Sequence, residues 1–344
     1  MARRTKTMLL AAAIALLGAA PAEATLVYVK NPGKMSSRVW VAHDDGSQPR
    51  RVGLGHSPAV SPDGRWVAWV KSGSPDKIMM RLADRTRRAR IVARASTVGD
   101  LRFSPDSKSL GFVIGRRLFV YDIRERDEVK AASGSLRGFS FSPDSGSVVF
   151  ATAGRNDAAD APADLYSFDV EDRERTRVTR DRKSLNPLWG PDGILHDRMN
   201  ARPGDAPSYN VFSIQPDGGS LRRITSLRIP SLVSGLVPHE LSSNGRRLLA
   251  NFVGQDTLVA FRVNTVTGRA KALDDDFENG LVGFDLTADG RTVLGHTGGP
   301  DPFARHNVVT IPYGGGETRY FFGAYRAARE KAGREATARS SSRR

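Results

Sequence analysis

Residues 59–70 read AVSPDGRWVAWV, a tight-turn sequence between two apolar segments. In such a turn the proline presets φ, the aspartate bonds its own backbone, and the glycine accepts a positive φ. The apolar segments on either side have the length and composition of short β-strands. This stretch therefore predicts a β-hairpin.

The same turn recurs along the chain at intervals of 38 to 52 residues, counted from its Asp or Asn. A period of about 40–50 residues is typical of the four-stranded blades of a β-propeller. Each copy follows one short apolar strand and precedes a more apolar one. The six copies are SPDG at 61–64, SPDS at 104–107, SPDS at 142–145, GPDG at 190–193, SSNG at 242–245 and TADG at 287–290.

Two further strands follow each hairpin, a third apolar strand such as 118–122 and a shorter polar one such as 177–179. Four strands per period, with the most polar strand outermost, predict an all-β single propeller. Residues 26–53 supply three strands without an innermost one, whereas residues 283–321 already hold four. We therefore expect seven blades with an incomplete first blade, and six blades is the alternative.

The repeat resembles the TolB-like family of WD40-like propellers, in which a Ser-Pro-Asp-Gly hairpin precedes a strand that ends in an Asp-rich turn. The segments VAHDDG at 41–46 and SIQPDG at 213–218 match that second turn. The resemblance covers residues 25–322 and excludes the N-terminal α/β domain of TolB, so membership of the Tol complex is not carried over. The same repeat caps prolyl-oligopeptidase-type peptidases, but GHSPA at 55–59 fails the G-x-S-x-G pattern at its last position.

Residues 1–24 have the pattern of a secretory signal: Arg3, Arg4 and Lys6, then an apolar run, then small residues up to Ala24. We expect cleavage after Ala24, export to the periplasm, cell wall or medium, and no integral membrane segment in the mature chain. The absence of cysteine excludes disulfides and thiol catalysis. Residues 323–344 are expected to form a basic tail, disordered or loosely helical.

Long segments between second and third strands, at 153–164, 200–209 and 297–307, are expected on one face of the ring, where loops on a rigid scaffold carry function. Four histidines and two carboxylates are expected towards this long-loop face. A metal held by them is an alternative, although their spacing matches no known metal motif and no metal or cofactor is predicted. The candidate binding residues are His56, His239, Glu240, His296, Asp301 and His306.

The sequence favours a non-catalytic binding or scaffold protein, because it contains no credible triad and no phosphate-binding glycine loop. The formal net charge of +15 favours anionic partners. We expect a monomer that recognises a protein or an anionic cell-envelope polymer, with no role for nucleic acid. The alternative is an exported propeller hydrolase or lyase with a histidine-lined metal site at the propeller mouth, as the resemblance implies for some metal-dependent polysaccharide lyases.

Overall fold

Every regular element that the computed structural model describes is a β-strand, and the described residues contain no helix. No helix long and apolar enough to cross a membrane therefore occurs in this part of the chain. The predicted signal segment at 1–24, Asp301, His306 and residues 330–344 lie outside it. The structure describes residues 25–30, 37–43, 46–84, 88–156, 161, 163–200, 208–227, 234–254, 257–274, 280–287, 289–297, 307–321 and 325–329.

The described strands number twenty-eight. The first fifteen are β1 (Thr25–Lys30), β2 (Arg38–His43), β3 (Arg50–Leu54), β4 (His56–Val60), β5 (Trp66–Lys71), β6 (Asp76–Leu82), β7 (Arg90–Ala95), β8 (Val98–Phe103), β9 (Ser109–Ile114), β10 (Arg117–Asp122), β11 (Glu128–Ser133), β12 (Leu136–Phe141), β13 (Ser147–Thr152), β14 (Asp164–Asp169) and β15 (Arg175–Arg177). The others are β16 (Ser184–Gly190), β17 (Gly193–Asn200), β18 (Ser208–Ile214), β19 (Arg222–Arg223), β20 (Ser234–Leu241), β21 (Arg247–Val253), β22 (Leu258–Asn264), β23 (Ala270–Ala272), β24 (Val282–Leu286), β25 (Thr292–His296), β26 (Val308–Pro312), β27 (Arg319–Phe321) and β28 (Tyr325–Arg329).

These strands form five four-stranded sheets and one eight-stranded sheet. The four-stranded sheets have the orders β28-β1-β2-β3, β4-β5-β6-β7, β8-β9-β10-β11, β12-β13-β14-β15 and β24-β25-β26-β27. All pairings within them are antiparallel between neighbours in the order. The predicted all-β propeller of small antiparallel sheets is confirmed.

The Ser-Pro-Asp turns close the hairpins as the sequence predicts. In the first one, the amide of Gly64 donates to the carbonyl oxygen of Ser61 at 2.8 Å. The Ser61 hydroxyl donates to Asp63 Oδ1 at 2.5 Å and accepts from the amide of Trp66 at 2.9 Å. This network of side-chain and backbone hydrogen bonds recurs at Ser104, Ser142, Ser242 and Thr287.

Neighbouring turns are also bonded to each other. In the second and third copies serine replaces the last glycine, and Ser107 and Ser145 adopt φ of 64° and 68°. The Ser107 hydroxyl accepts from the amide of Asp63 at 3.0 Å, and that of Ser145 accepts from the amide of Asp106 at 3.1 Å. These bonds tie three successive turns to one another.

The apolar core lies between successive sheets, because each sheet buries both faces against its neighbours. One cluster joins Ile78 and Met80 of β6 to Phe112 of β9, and a comparable cluster joins Leu118 to Phe150. Another joins Leu294 of β25 to Leu26 of β1, and so connects the last sheet back to the first. The sheets therefore stand around a common centre as a closed ring.

The innermost strand that residues 26–53 lack is supplied by the end of the chain. β28 pairs antiparallel with β1, with a register shift between Tyr28 and Val29, and it also contacts β4 and β24. Residues 325–329 were expected to be a loose tail, with helix propensity, and they instead extend the propeller beyond 322. A strand forms here because the free edge of β1 offers unpaired backbone groups that a local helix could not satisfy.

The eight-stranded sheet consists of two antiparallel groups, β16–β19 and β20–β23, joined by a short parallel bridge between β18 and β20. The bridge pairs Tyr209 with Gly235. A Cβ atom on Gly235 would stand 2.1 Å from the carbonyl oxygen of Tyr209, so only glycine permits this approach. An apolar cluster that includes Val211 and Leu248 fills the space between the two groups.

Candidate functional site

A cavity of about 400 Å³ lies at the centre of the ring, at the face that carries the Ser-Pro-Asp turns, which we call the turn face. Its walls are the ends of the innermost strands β4, β8, β12, β16, β20 and β24, together with the turns that follow them. The lining is mostly apolar, with four turn prolines and four aromatic side chains. These eight residues are Pro62, Pro105, Pro143, Pro191, Phe103, Phe141, Trp189 and Phe284.

One position of the repeat supplies a ring of side chains to this cavity. The residue two places before each Ser-Pro-Asp turn, or its equivalent, lines the wall in all six copies of the motif. Sequence reasoning missed this position, although aligning the repeats on their turns would have exposed it. The six residues are Ala59, Arg102, Ser140, Leu188, Glu240 and Asp285.

A β-bulge in each of these innermost strands sets the direction of the lining side chains. In β20 the register shifts between Pro238 and Glu240, and in β24 it shifts between Gly283 and Asp285. Bulges re-aim side chains and are common next to functional sites. The carboxyl groups of Glu240 and Asp285 are therefore held on neighbouring innermost strands at the cavity wall.

An ion pair spans the cavity between two non-adjacent groups of strands. Arg102 Nη1 lies 3.5 Å from Glu240 Oε2, and the two side chains are 35% and 10% exposed. Glu240 Oε1 also accepts the amide of Leu241 at 3.1 Å, and Asp285 Oδ1 accepts the amide of Leu286 at 2.8 Å. The charged residues that line the cavity are thus two carboxylates and one guanidinium.

The turn face around the cavity carries many acidic side chains. The turns between third and fourth strands open on the same face, because successive antiparallel strands reverse direction. Two of these turns, together with the last residue of the strand before each, hold seven exposed or half-buried carboxylates and three exposed arginines. The carboxylates are Asp122, Glu125, Asp127, Asp169, Glu171, Asp172 and Glu174, and the arginines are Arg124, Arg126 and Arg173.

Two of the three serine hydroxyl groups in the cavity wall are used by the fold. Ser140 Oγ accepts the amide of Trp189 at 3.1 Å, which ties β12 to β16. Ser242 Oγ donates to Asn244 and accepts the amide of Arg247. Within the described part of the chain no histidine lines the cavity, so the wall holds no imidazole base beside Ser140, Ser242 or Ser243.

Solved structures of TolB proteins have a fold similar to that of this chain. TolB from Acinetobacter baumannii superposes with a TM-score of 0.50 and 19% identity, over 73% of this chain and 63% of that one. The chain has a TolB-like propeller fold. This chain spans less than two thirds of the length of that TolB, since the match covers 63% of it.

Two further solved structures with a similar fold are not TolB proteins. The β-propeller domain of the Trilobed protease from Pyrococcus furiosus aligns with a TM-score of 0.62 and 13% identity, over 86% of this chain and 93% of that one. An oligogalacturonate lyase in complex with manganese aligns with a TM-score of 0.59 and 13% identity, over 88% and 85% of the two chains. No family model matches the sequence, and neither does any curated protein.

Of the six candidate residues predicted from the sequence, Glu240 lies in the cavity wall of this propeller. His239 precedes it at the bulge of β20, outside the paired register. His56 begins β4, with Nδ1 3.0 Å from Ser57 Oγ, and His296 ends β25, with Nδ1 3.0 Å from the carbonyl oxygen of Thr297. These two lie at the strand ends opposite the turn face, while Asp301 and His306 lie outside the described residues.

The histidines described in this TolB-like propeller do not form a metal centre. His296 is 3% exposed and packs on Phe284, with ring centroids 4.8 Å apart. No group of three or more His, Asp or Glu side chains arranged to hold a metal ion occurs in the part of the chain that the structure covers. The described cavity therefore offers charge and apolar walls, and no ligand set for a metal.

Two titratable side chains are buried away from the cavity, in β17. Burial lowers the pKa of His196 to about 4, and its ring stacks on Phe212 with centroids 6.2 Å apart. Burial raises the pKa of Asp197 to about 7, although a hydrogen bond with the Asn186 side chain lowers it in part. His196 Nε2 and Asp197 Oδ1 have no hydrogen-bond partner among the described residues, so both groups are held neutral near pH 6.

Proposed function

We propose that the protein is an exported, non-catalytic recognition propeller whose turn-face cavity holds a cationic, partly apolar segment of a partner protein. The observation that carries this proposal is the ring of equivalent positions, one from each of six innermost strands, that converges on a single cavity. Convergence of several repeats on one space suits recognition of one ligand. The sequence favoured the long-loop face, whereas the proposal uses the opposite face.

The size and lining of the cavity support a peptide segment as the ligand. A volume of about 400 Å³ falls in the usual range for ligand pockets, about 300–1,000 Å³. Proline rings and the side chains of Phe103, Phe141 and Trp189 offer flat apolar walls, which suit the side chains of an extended segment. Few charged groups interrupt these walls, so their positions would select the ligand.

The charge of the site supports a cationic rather than an anionic segment. Glu240 and Asp285 outnumber Arg102 at the wall, and the two turns described above carry seven carboxylates against three arginines. This local excess is opposite in sign to the net charge of +15 for the whole chain. A Lys or Arg side chain entering from the turn face would meet favourable potential, while an acidic polymer would be repelled.

Two further features of the proposal rest on the packing and on the sequence. We propose that the eight-stranded sheet represents two blades, which gives a seven-bladed ring; seven separate apolar clusters between successive four-stranded groups support this count. The leader pattern at 1–24 supports export. Fractionation and N-terminal sequencing test it, since a mature chain beginning at Thr25 outside the cytoplasm is expected and an intact leader on cytoplasmic protein would contradict it.

The cavity ligand is tested by peptide display against the purified protein, followed by affinity measurements on selected peptides. We expect selected sequences to combine Lys or Arg with apolar residues, and we expect Glu240→Gln to weaken their binding about tenfold, or about 1.4 kcal/mol. Asp192→Asn removes one exposed carboxylate from a turn on the same face and is the matched control, with less than about a twofold effect. Enrichment of acidic peptides, or equal losses in both variants, would refute the proposal.

A further inference from the structure

The outermost strands of the propeller carry basic side chains and almost no acidic ones. These strands are β3, β7, β11, β15, β19, β23 and β27, and each contains at least one Arg or Lys. Glu128 of β11 is the single carboxylate in all seven. We call this outer surface the basic rim.

Most charges of the basic rim are exposed, although Arg90 of β7 is half-buried and donates to the carbonyl oxygen of Ile123 at 2.9 Å. Arg175, Arg222 and Arg223 are all exposed, and no carboxylate in the described part of the chain pairs with them. Arg177 is the exception, since its Nη2 lies 2.6 Å from Asp164 Oδ2. Arg223 Nε donates to the carbonyl oxygen of Thr225 at 2.7 Å, but no carboxylate in the described part of the chain neutralises its charge or those of Arg175 and Arg222.

The basic rim and the turn face differ in charge composition. The turns next to the rim strands hold acidic and basic residues together, such as Glu174 beside Arg173, whereas the seven rim strands hold cations and a single carboxylate. Because charges of one sign follow each other along the rim, their potentials add instead of cancelling. The rim is therefore a separate site from the cavity, and its ligand is independent of the cavity ligand.

Protection of a sheet edge explains only part of this pattern. A charged residue on an edge strand, lysine above all, prevents pairing with another chain, and one such charge is sufficient. Here β3, β7, β15 and β19 each carry two arginines. Edge protection alone explains neither two charges in one short strand nor the use of arginine.

We propose that the basic rim binds a flexible, linear, phosphate-bearing polymer of the cell envelope that lies along the circumference of the ring. Most of the rim cations are arginines, whose planar guanidinium group binds phosphate oxygens in pairs. Packed sheets lie about 10 Å apart and diverge outwards around the ring. A flexible chain can follow several outer strands in succession, whereas a flat bilayer reaches only a few of them at once.

The composition of the rim favours such a polymer over single-stranded nucleic acid. Proteins that bind single strands combine positive charge with aromatic platforms on which the bases stack. Among the rim strands, Tyr320 is the one exposed aromatic side chain that the structure describes. The rim therefore offers contacts to a charged backbone and little surface for bases.

The experiment measures binding of inorganic polyphosphate of defined chain lengths to the purified protein as salt is raised. The rim variant R175Q/R222Q/R223Q and the turn-face control R65Q/K108Q/R246Q remove the same charge from exposed positions. At low salt we expect the rim variant to bind about tenfold or more weakly and the control to change less than about twofold. The slope of log K against log salt should fall by about 2 in the rim variant, because each lost phosphate contact contributes about 0.7–0.9.

Chain length and competing probes complete the test. We expect long polyphosphate to bind at least about tenfold more tightly than triphosphate, and R175K/R222K/R223K, which keeps the charge, to bind with intermediate affinity. Thermal melts of all three variants should match that of the wild type. Equal losses in the rim and control variants, or no dependence on chain length, would overturn the proposal. Tighter binding of anionic vesicles, or of a single-stranded oligonucleotide of equal charge, would overturn it as well.

Discussion

Replacing the buried Asp197 by asparagine tests whether its carboxyl group makes the stability of the fold depend on pH. The pKa of this group is about 7 in the folded protein and 3.8 in its unperturbed state. Between these values the folded chain holds a proton that the unfolded chain releases. The contribution of Asp197 to the free energy of unfolding is therefore fully present below about pH 3.8 and is lost as the pH rises through about 7.

The size of the effect follows from the two pKa values. One pKa unit corresponds to about 1.4 kcal/mol. The difference between the two pKa values of Asp197 therefore limits its contribution to the free energy of unfolding to about 4 kcal/mol. His196 acts in the opposite direction, since burial lowers its pKa from 6.5 to about 4. Its contribution is present above pH 6.5 and is lost as the pH falls through about 4, with a limit of about 3 kcal/mol. Between about pH 4 and pH 6.5 the two contributions change in opposite directions, so they offset each other in the wild type.

In Asp197→Asn only the histidine contribution remains. We expect the variant to be more stable than the wild type at pH 8 by about 1–3 kcal/mol, because the amide carries no charge but is still incompletely bonded. Below pH 6.5 the variant should lose stability with falling pH, while the wild type changes little. Urea unfolding followed by tryptophan fluorescence, at pH values of about 4.5, 5.5, 6.5 and 8, measures these differences.

Asp192→Asn is the control, because it removes one carboxylate from an exposed turn and leaves Asp197 and His196 in place. The reasoning is wrong if the difference in stability between Asp197→Asn and the wild type is the same at pH 5 and pH 8. That result would mean that the carboxyl group titrates alike in the folded and unfolded chains.

Four other changes test single features of the fold. Removing residues 323–344 takes away the innermost strand of the first sheet and should lower Tm by roughly 5 °C or more, whereas a loose tail would give no change. Gly235→Ala forces a Cβ against the Tyr209 carbonyl and should cost about 2 kcal/mol or more in thermal melts; an unchanged Tm would contradict the close approach. Tyr313→Phe removes a hydroxyl bonded to two carbonyl oxygens of the neighbouring group of strands, and urea unfolding should show a loss of about 1–2 kcal/mol. Ser107→Ala should cost about 1 kcal/mol and Ser107→Gly less, because glycine tolerates the positive φ; equal losses would exclude the strain.

The strands and turns of this propeller could be predicted because their signals are local. The hydrogen bonds of the Ser61-Pro62-Asp63-Gly64 turn join residues at most five positions apart, so the local sequence is sufficient to predict the hairpin. Recurrence of that turn then implied the blade. The pairing of β28 with β1 joins residues at opposite ends of the chain, and no local sequence pattern predicts it. Helix propensity near residue 326 pointed to a different structure, which the unpaired edge of β1 overrides.

The candidate site was predicted less well than the fold. Glu240 was singled out for its neighbouring histidine, yet it lines the cavity because it stands two residues before a turn, as Arg102 and Asp285 do. That shared position was visible in the sequence. The pairing of Arg102 with Glu240 was not, since 138 residues separate them and only ring closure brings them within 3.5 Å.

The sequence by itself determined the element type, the repeat length and the position of every Ser-Pro-Asp turn, because turn chemistry and strand alternation act over a few residues. The tertiary structure alone decided how the ring closes, which face holds the cavity and which charges meet across it. Those outcomes depend on the twist and packing of whole sheets, which sum small angles over the ring. A sum of that kind is a property of the assembled ring and of no single segment.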